Sequence, residues 1–190
     1  IYSTYTTAAT GTAFPFTDVA ETRWSYPYIK ELYDAGVVSG TSATTFSPAA
    51  NVTRAQFVTM LAGLAGADVS NCPATPFRDV PEGAWYAPYV NWALANGIVS
   101  GTSAVTFSPD ASITRQDMAV MLYSYTQRFQ VHLQQQPVTP FTDAGSIAAY
   151  AQVAVQTLQR AGVISGMPDG SFQPYGTATR EQACTMLCML

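Results

Sequence analysis

An all-helical fold made of three copies of one helix–loop–helix unit is what this 190-residue sequence predicts. Three recurrences carry that reading. Phe16-Thr17-Asp18 returns as Phe77-Arg78-Asp79 and Phe141-Thr142-Asp143, and Val52-Thr53-Arg54 returns as Ile113-Thr114-Arg115 and Ala178-Thr179-Arg180. The run GVVSG at 36–40 returns as GIVSG at 97–101 and GVISG at 162–166, and its second Gly precedes the Arg by 14 residues in every copy. Fixed self-similarity of this kind marks a repeat architecture. The units run 14–75, 76–138 and 139–190, with 1–13, rich in Thr, Ala and Tyr, as a linker or the tail of an upstream domain.

The first helix of each unit shows one apolar stripe: Ile29, Leu32, Tyr33 and Val37, then Val90, Ala93, Leu94 and Ile98, then Val155, Leu158 and Val163. That spacing, with i+3 and i+4 neighbours, is helical. Pro27 and Pro88 suit the first turn, and Gly36, Gly97 and Gly162 suit the position just past the last. The loops that follow, 40–48, 101–109 and 166–174, are turn-rich and end in an aromatic shortly before Pro, so Phe46, Phe107 and Phe172 are expected to anchor them. The second helices open on Thr53-x-x-Gln56 and Thr179-x-x-Gln182, which are capping boxes, and on the near variant Thr114-x-x-Asp117. Their stripes are Phe57, Met60, Leu61, Leu64; Met118, Met121, Leu122, Tyr125; and Ala183, Met186, Leu187, Leu190. One helix pair buries only one stripe, so the units must pack on each other, either closed around a pseudo-threefold axis or stacked as a short solenoid. Residues 127–140 join units two and three.

Composition excludes several classes of function. Seven Arg and one Lys stand against twelve acids, giving a net charge of −4 and a pI near 4.7, so no nucleic-acid partner is expected. No apolar run approaches the ~18 residues of a membrane span, and the start of the sequence lacks a charged segment followed by an apolar one. Any export signal is expected to lie outside it. Cys72, Cys184 and Cys188 form no CxxC and have only His132 for company, so they read as small, buried, free side chains and no zinc site or other cofactor is expected.

One rule is broken three times. Arg54, Arg115 and Arg180 stand at the first helical position, where the positive end of the helix dipole disfavours a cation by ~0.3–1 kcal/mol. Something negative is therefore expected nearby. First-turn amides and a guanidinium together suit an exogenous anion, while an Arg–Asp bridge to Asp18, Asp79 or Asp143, which recur in register, is the internal alternative. Six residues after the first two Asp come Trp24 and Trp85, and seven after the third comes Tyr150. An aromatic there reads as core by default, or as a platform for a sugar face. Aromatic, Asp and Arg recurring together point to a shared site.

This ordered set, Phe-x-Asp, an aromatic, Gly-hydrophobic-x-x-Gly, Phe-x-Pro and Thr-Arg-x-[Gln/Asp/Glu], resembles the S-layer homology (SLH) domain family over residues 14–190. The resemblance implies an all-α module of three SLH repeats packed as a pseudo-trimeric spindle or prism. It implies extracellular, cell-wall localisation and non-covalent anchoring of a surface protein to secondary cell wall polysaccharide, commonly through a pyruvate ketal, in grooves between repeats. The matching ligand-binding positions are Arg54, Arg115, Arg180, Asp18, Asp79, Asp143, Trp24, Trp85 and Tyr150, with Gly40, Gly101 and Gly166 lining grooves by their backbone. Repeat three departs most, with Tyr150 for Trp and an altered Ala144-Gly145, so Arg180 is expected to matter least.

Catalysis is not expected, because the acids either recur in threefold register or are scattered, and His132 has no evident nucleophile beside it. The alternative function is a structural or assembly module that makes protein–protein contacts at the cell surface.

Overall fold

A computed structural model describes residues 13–190, and the linker reading of 1–13 falls, Ala13 apart, outside the described residues. Six α-helices follow in chain order: α1 Tyr26–Asp34, α2 Arg54–Leu64, α3 Ala87–Ala95, α4 Arg115–Arg128, α5 Gln152–Arg160 and α6 Arg180–Cys188. Two short 3-10 turns, Ala144–Ser146 and Ala149–Ala151, lead into α5, which has no proline in its first turn. Among the described residues there is no sheet, only isolated β-bridges. The all-helical reading holds.

Helix ends are set by the residues that predicted them. Thr53 and Thr179 make complete capping boxes with Gln56 and Gln182. Gly36, Gly97 and Gly162 sit at φ of +72°, +68° and +73°, where a side chain is strained. Each closes a Schellman motif; at the first, the Gly36 amide donates to Tyr33 O and the Val37 amide to Leu32 O at 2.8 Å.

Each second helix packs against the first helix of the next unit, α2 on α3 and α4 on α5, and α6 packs on α1. The contacts thus run in a cycle, which an open three-unit stack does not allow. Helix α2 also touches α4 and α6, so it buries Ala55, Val58 and Ala62 besides its predicted stripe. That broad burial places the second helices inside and the first helices outside. At the inner edge, the Val52 amide donates to Ala178 O and the Ile113 amide to Val52 O, each at 3.0 Å, and all three residues are fully buried.

Phe46, Phe107 and Phe172 are completely buried and lie against Phe16, Phe77 and Phe141, with ring centroids 5.4, 5.8 and 5.2 Å apart. The loops are therefore packed, as expected. The next residue, Ser47, Ser108 or Gln173, adopts a left-handed backbone at φ of +58°, +58° and +56°. A non-Gly residue there costs ~1–2 kcal/mol, so something must hold it.

All three cysteines are free, but only Cys184 is buried as expected; Cys72 is half-buried, and so is Cys188, at the end of α6 against Tyr28 O at 3.6 Å. Burial pushes the Cys184 and Cys188 thiols up to about 12, which leaves them poor nucleophiles at neutral pH.

Candidate functional site

The three aspartates hold the strained residues. Asp18 accepts the amides of Phe46 at 2.8 Å and Ser47 at 2.7 Å; Asp79 accepts those of Phe107 and Ser108, and Asp143 those of Phe172 and Gln173. Burial works against ionisation of Asp79, but the Phe107 and Ser108 amides outweigh it and hold its carboxyl below the usual range.

Each arginine grips the other side of the same loop, from the preceding repeat in the cycle. Arg54 Nε donates to Phe107 O at 2.8 Å, Arg115 Nε to Phe172 O at 2.7 Å, and Arg180 Nε to Phe46 O at 2.9 Å. The Nη2 groups reach Ser100 O, Ser165 O and Ser39 O at 3.5, 3.1 and 2.8 Å. Each guanidinium also lies over its Phe ring, 4.5–5.0 Å from the centroid. The three residues are only 4–6% exposed, and this burial lowers the pKa of each arginine. So these arginines do not bridge to Asp18, Asp79 or Asp143; arginine and aspartate clasp one aromatic peptide from its two ends.

The first-turn amides are not open to a ligand either, contrary to expectation. Arg54 N and Ala55 N donate to Ala111 O and Pro109 O of the next loop, Arg115 N and Gln116 N to Gly176 O and Pro174 O, and Arg180 N and Glu181 N to Ala50 O and Pro48 O. The dipole conflict read from sequence is met by carbonyls of the neighbouring repeat.

The repeated aromatics are not core. Trp24, Trp85 and Tyr150 are 55%, 58% and 63% exposed, so the core default fails for all three. Their approach is fixed at two junctions by side chains that sequence reasoning passed over. Glu181 takes a two-pronged contact from Arg23, 2.8 and 3.0 Å, and the Ser25 hydroxyl at 2.6 Å, gripping both neighbours of Trp24. Gln116 Oε1 accepts the Ala148 amide at 3.1 Å, two residues before Tyr150. The signal lay in the position after each Arg, which is Glu or Gln at these junctions and Ala55 at the third.

Arg54, residues 98–102, Asp117, Val120, Met121 and Tyr150 line one cleft of about 360 Å³, to which all three repeats contribute. Gly101 lines it. Gly166 shows why glycine is needed at this position: a Cβ would sit 2.8 Å from Ser171 O and 3.0 Å from the Phe141 ring. Within the cleft the Tyr150 hydroxyl donates to Asp117 Oδ1 at 2.7 Å, and Asp117 Oδ2 lies 3.3 Å from Arg54 Nη1. Burial and the Asp117 hydrogen bond push the Tyr150 phenol up to about 12. Tyr150 thus bears on Arg54, the arginine of repeat one.

The S-layer homology domain model matches residues 15–58, 76–119 and 140–184. The chain belongs to the SLH domain family. An endoglucanase of Bacillus sp. (strain KSM-635) is 40% identical over 191 residues, covering 99% of this chain and 20% of that protein. An S-layer protein of Bacillus thuringiensis subsp. finitimus is 27% identical over 180 residues, 95% of this chain and 21% of the relative. A cellulosome-anchoring protein of Acetivibrio thermocellus is 28% identical over 157 residues, 80% and 35%. The chain thus spans a fifth to about a third of these curated relatives. An SLH segment is a binding module of the cell surface, and the segment shared with the endoglucanase is this module and not a catalytic domain.

Carboxylates at the SLH junctions predict a direction for acid. Burial opposes ionisation of Glu181, yet Arg23 and Ser25 outweigh it, and its pKa, like that of Asp79, lies below the ordinary value. Their stabilising contribution is fully present above the unfolded pKa, about 4, and is lost as pH falls through the lower folded values. Melting temperature is expected to hold from neutral pH to about 4.5 and to drop below it. A scanning-calorimetry series across pH checks this, and Glu181→Gln should flatten the drop.

Proposed function

We propose that this SLH module anchors a surface protein by binding secondary cell wall polysaccharide, with a pyruvate ketal as the charged group. Its three units, taken as 14–75, 76–138 and 139–190, would follow an upstream domain joined through residues 1–13. The observation that carries the reading is an exposed aromatic, Trp24, Trp85 or Tyr150, at the entry of each first helix in a fold whose second helices each open on a buried arginine. A sugar ring offers C–H faces to Trp24 and Trp85, and its ketal carboxylate suits the guanidinium edge left over after two nitrogens hold the loop. The aspartates act here by shaping the loop, through the Phe and following amides, and not by meeting the sugar.

Binding to cell-wall sacculi carrying pyruvylated polysaccharide tests the reading. Released polysaccharide should displace the module, whereas an assembly module that binds protein would ignore it. Trp85→Ala should weaken binding about five- to thirtyfold, for ~1–2 kcal/mol of lost stacking and contact area, and leave melting unchanged because the ring is exposed. Unchanged sacculus binding in that variant would count against the ring as a platform.

A further inference from the structure

The three junctions are built on one plan but differ at the third residue of the second helix. In α2 and α6 that residue is Gln, whose Oε1 accepts the cap amide, Thr53 N at 3.1 Å and Thr179 N at 3.0 Å. In α4 it is Asp117, one methylene shorter; Thr114 still caps the helix through its hydroxyl, but the reciprocal bond is missing and the carboxylate is turned into the cleft. There one oxygen meets Arg54 and the other holds the Tyr150 hydroxyl. Tyr150 stands where the other two repeats have Trp, so departures in two different repeats meet on one carboxylate. Among the described residues no carboxylate lies within ion-pair distance of Arg115 or Arg180, whose guanidinium groups donate to loop carbonyls and lie over Phe rings.

We infer that Asp117 makes the cleft at Arg54 refuse the carboxylate that the equivalent positions beside Arg115 and Arg180 accept, so that the module carries two anion-binding grooves and one that excludes anions. This rests on the polysaccharide reading above. The chain's own carboxylate already occupies the seat beside Arg54 Nη1, both of its oxygens are engaged, and the pair of charges cancels. A ligand carboxylate entering there would meet Asp117 at contact distance with no unneutralised cation to draw it in.

Calorimetric titration of the whole chain with a methyl hexoside carrying a 4,6-pyruvate ketal is the test. The unaltered protein should bind two equivalents and Asp117→Gln three. The variant keeps its fold, because Gln already occupies this helix position in α2 and α6 and restores the capping box. Tyr150→Phe retains the Asp117 charge and should stay at two. Three equivalents in the unaltered protein, no gain in Asp117→Gln, or a third site opened by Tyr150→Phe would each overturn the inference and leave the polysaccharide reading standing. No binding by any of the three proteins would overturn both.

Discussion

A chain cut after residue 138 will lose cooperative unfolding altogether. Removing repeat three strips α5 from α4 and α6 from α1, so two of the three large helix contacts disappear together. It also removes Arg180, which clasps the Phe46 carbonyl, and the Ala178 carbonyl that accepts the Val52 amide, leaving buried polar groups unpaired at ~1–3 kcal/mol each. Against a typical total stability of ~5–15 kcal/mol these losses are fatal to the native state. Thermal melts followed by circular dichroism should show a broad, non-cooperative decline. A sharp transition in the two-repeat chain would mean that each repeat closes its own core.

Arg115→Ala will destabilise the module and not merely its ligand complex. Reading the arginines as ligand contacts alone predicts unchanged or slightly improved stability, since a cation leaves the positive end of a helix. Here Arg115 is 4% exposed, and its guanidinium donates to Phe172 O and Ser165 O and covers the Phe172 ring. Losing charge-assisted bonds to two carbonyls, together with the packed stem, should cost ~2–4 kcal/mol. For a chain of this length that is about 6–12 °C in melting temperature. Arg115→Lys restores the charge but not the two-pronged geometry and should recover less than half. If Arg115→Ala melts with the parent protein, the clasp contributes nothing. Ligand affinity in these variants is informative only below the lowered transition.

Much of this was legible because it is local. A capping box spans four residues, a Schellman glycine is set by its own φ, and a helical stripe needs only two turns, so helix ends and the faces of α1, α3 and α5 could be read directly. What joins repeats is not local. The same Arg that looks misplaced beside its own helix finds its partner 53, 57 or 134 residues away, on a carbonyl that no pattern of side chains advertises. The first-turn amides were misjudged for the same reason, since their acceptors are backbone atoms of another repeat. Exposure of Trp24 and Trp85 follows from helix entries lying at the rim of the fold, which the packing order decides. Asp117 was visible as a broken capping box, but its pairing with Arg54 and Tyr150 needed all three repeats in place.

The cycle of contacts has one property that its chemistry alone does not convey. Two of its junctions are spanned by covalent chain; the one between α6 and α1 is not, and it carries the module's two-pronged Arg23–Glu181 pair. Mechanically it is a clasp on an otherwise continuous band. Tension applied between residue 13 and Leu190 pulls directly across that clasp, while the other junctions are relieved by the chain that spans them. A tether that loads one terminus only, with the counter-force taken up along the grooves, leaves the clasp shut. Pulling both ends opposes Arg23, Glu181 and Arg180 at once and gives the band its point of release.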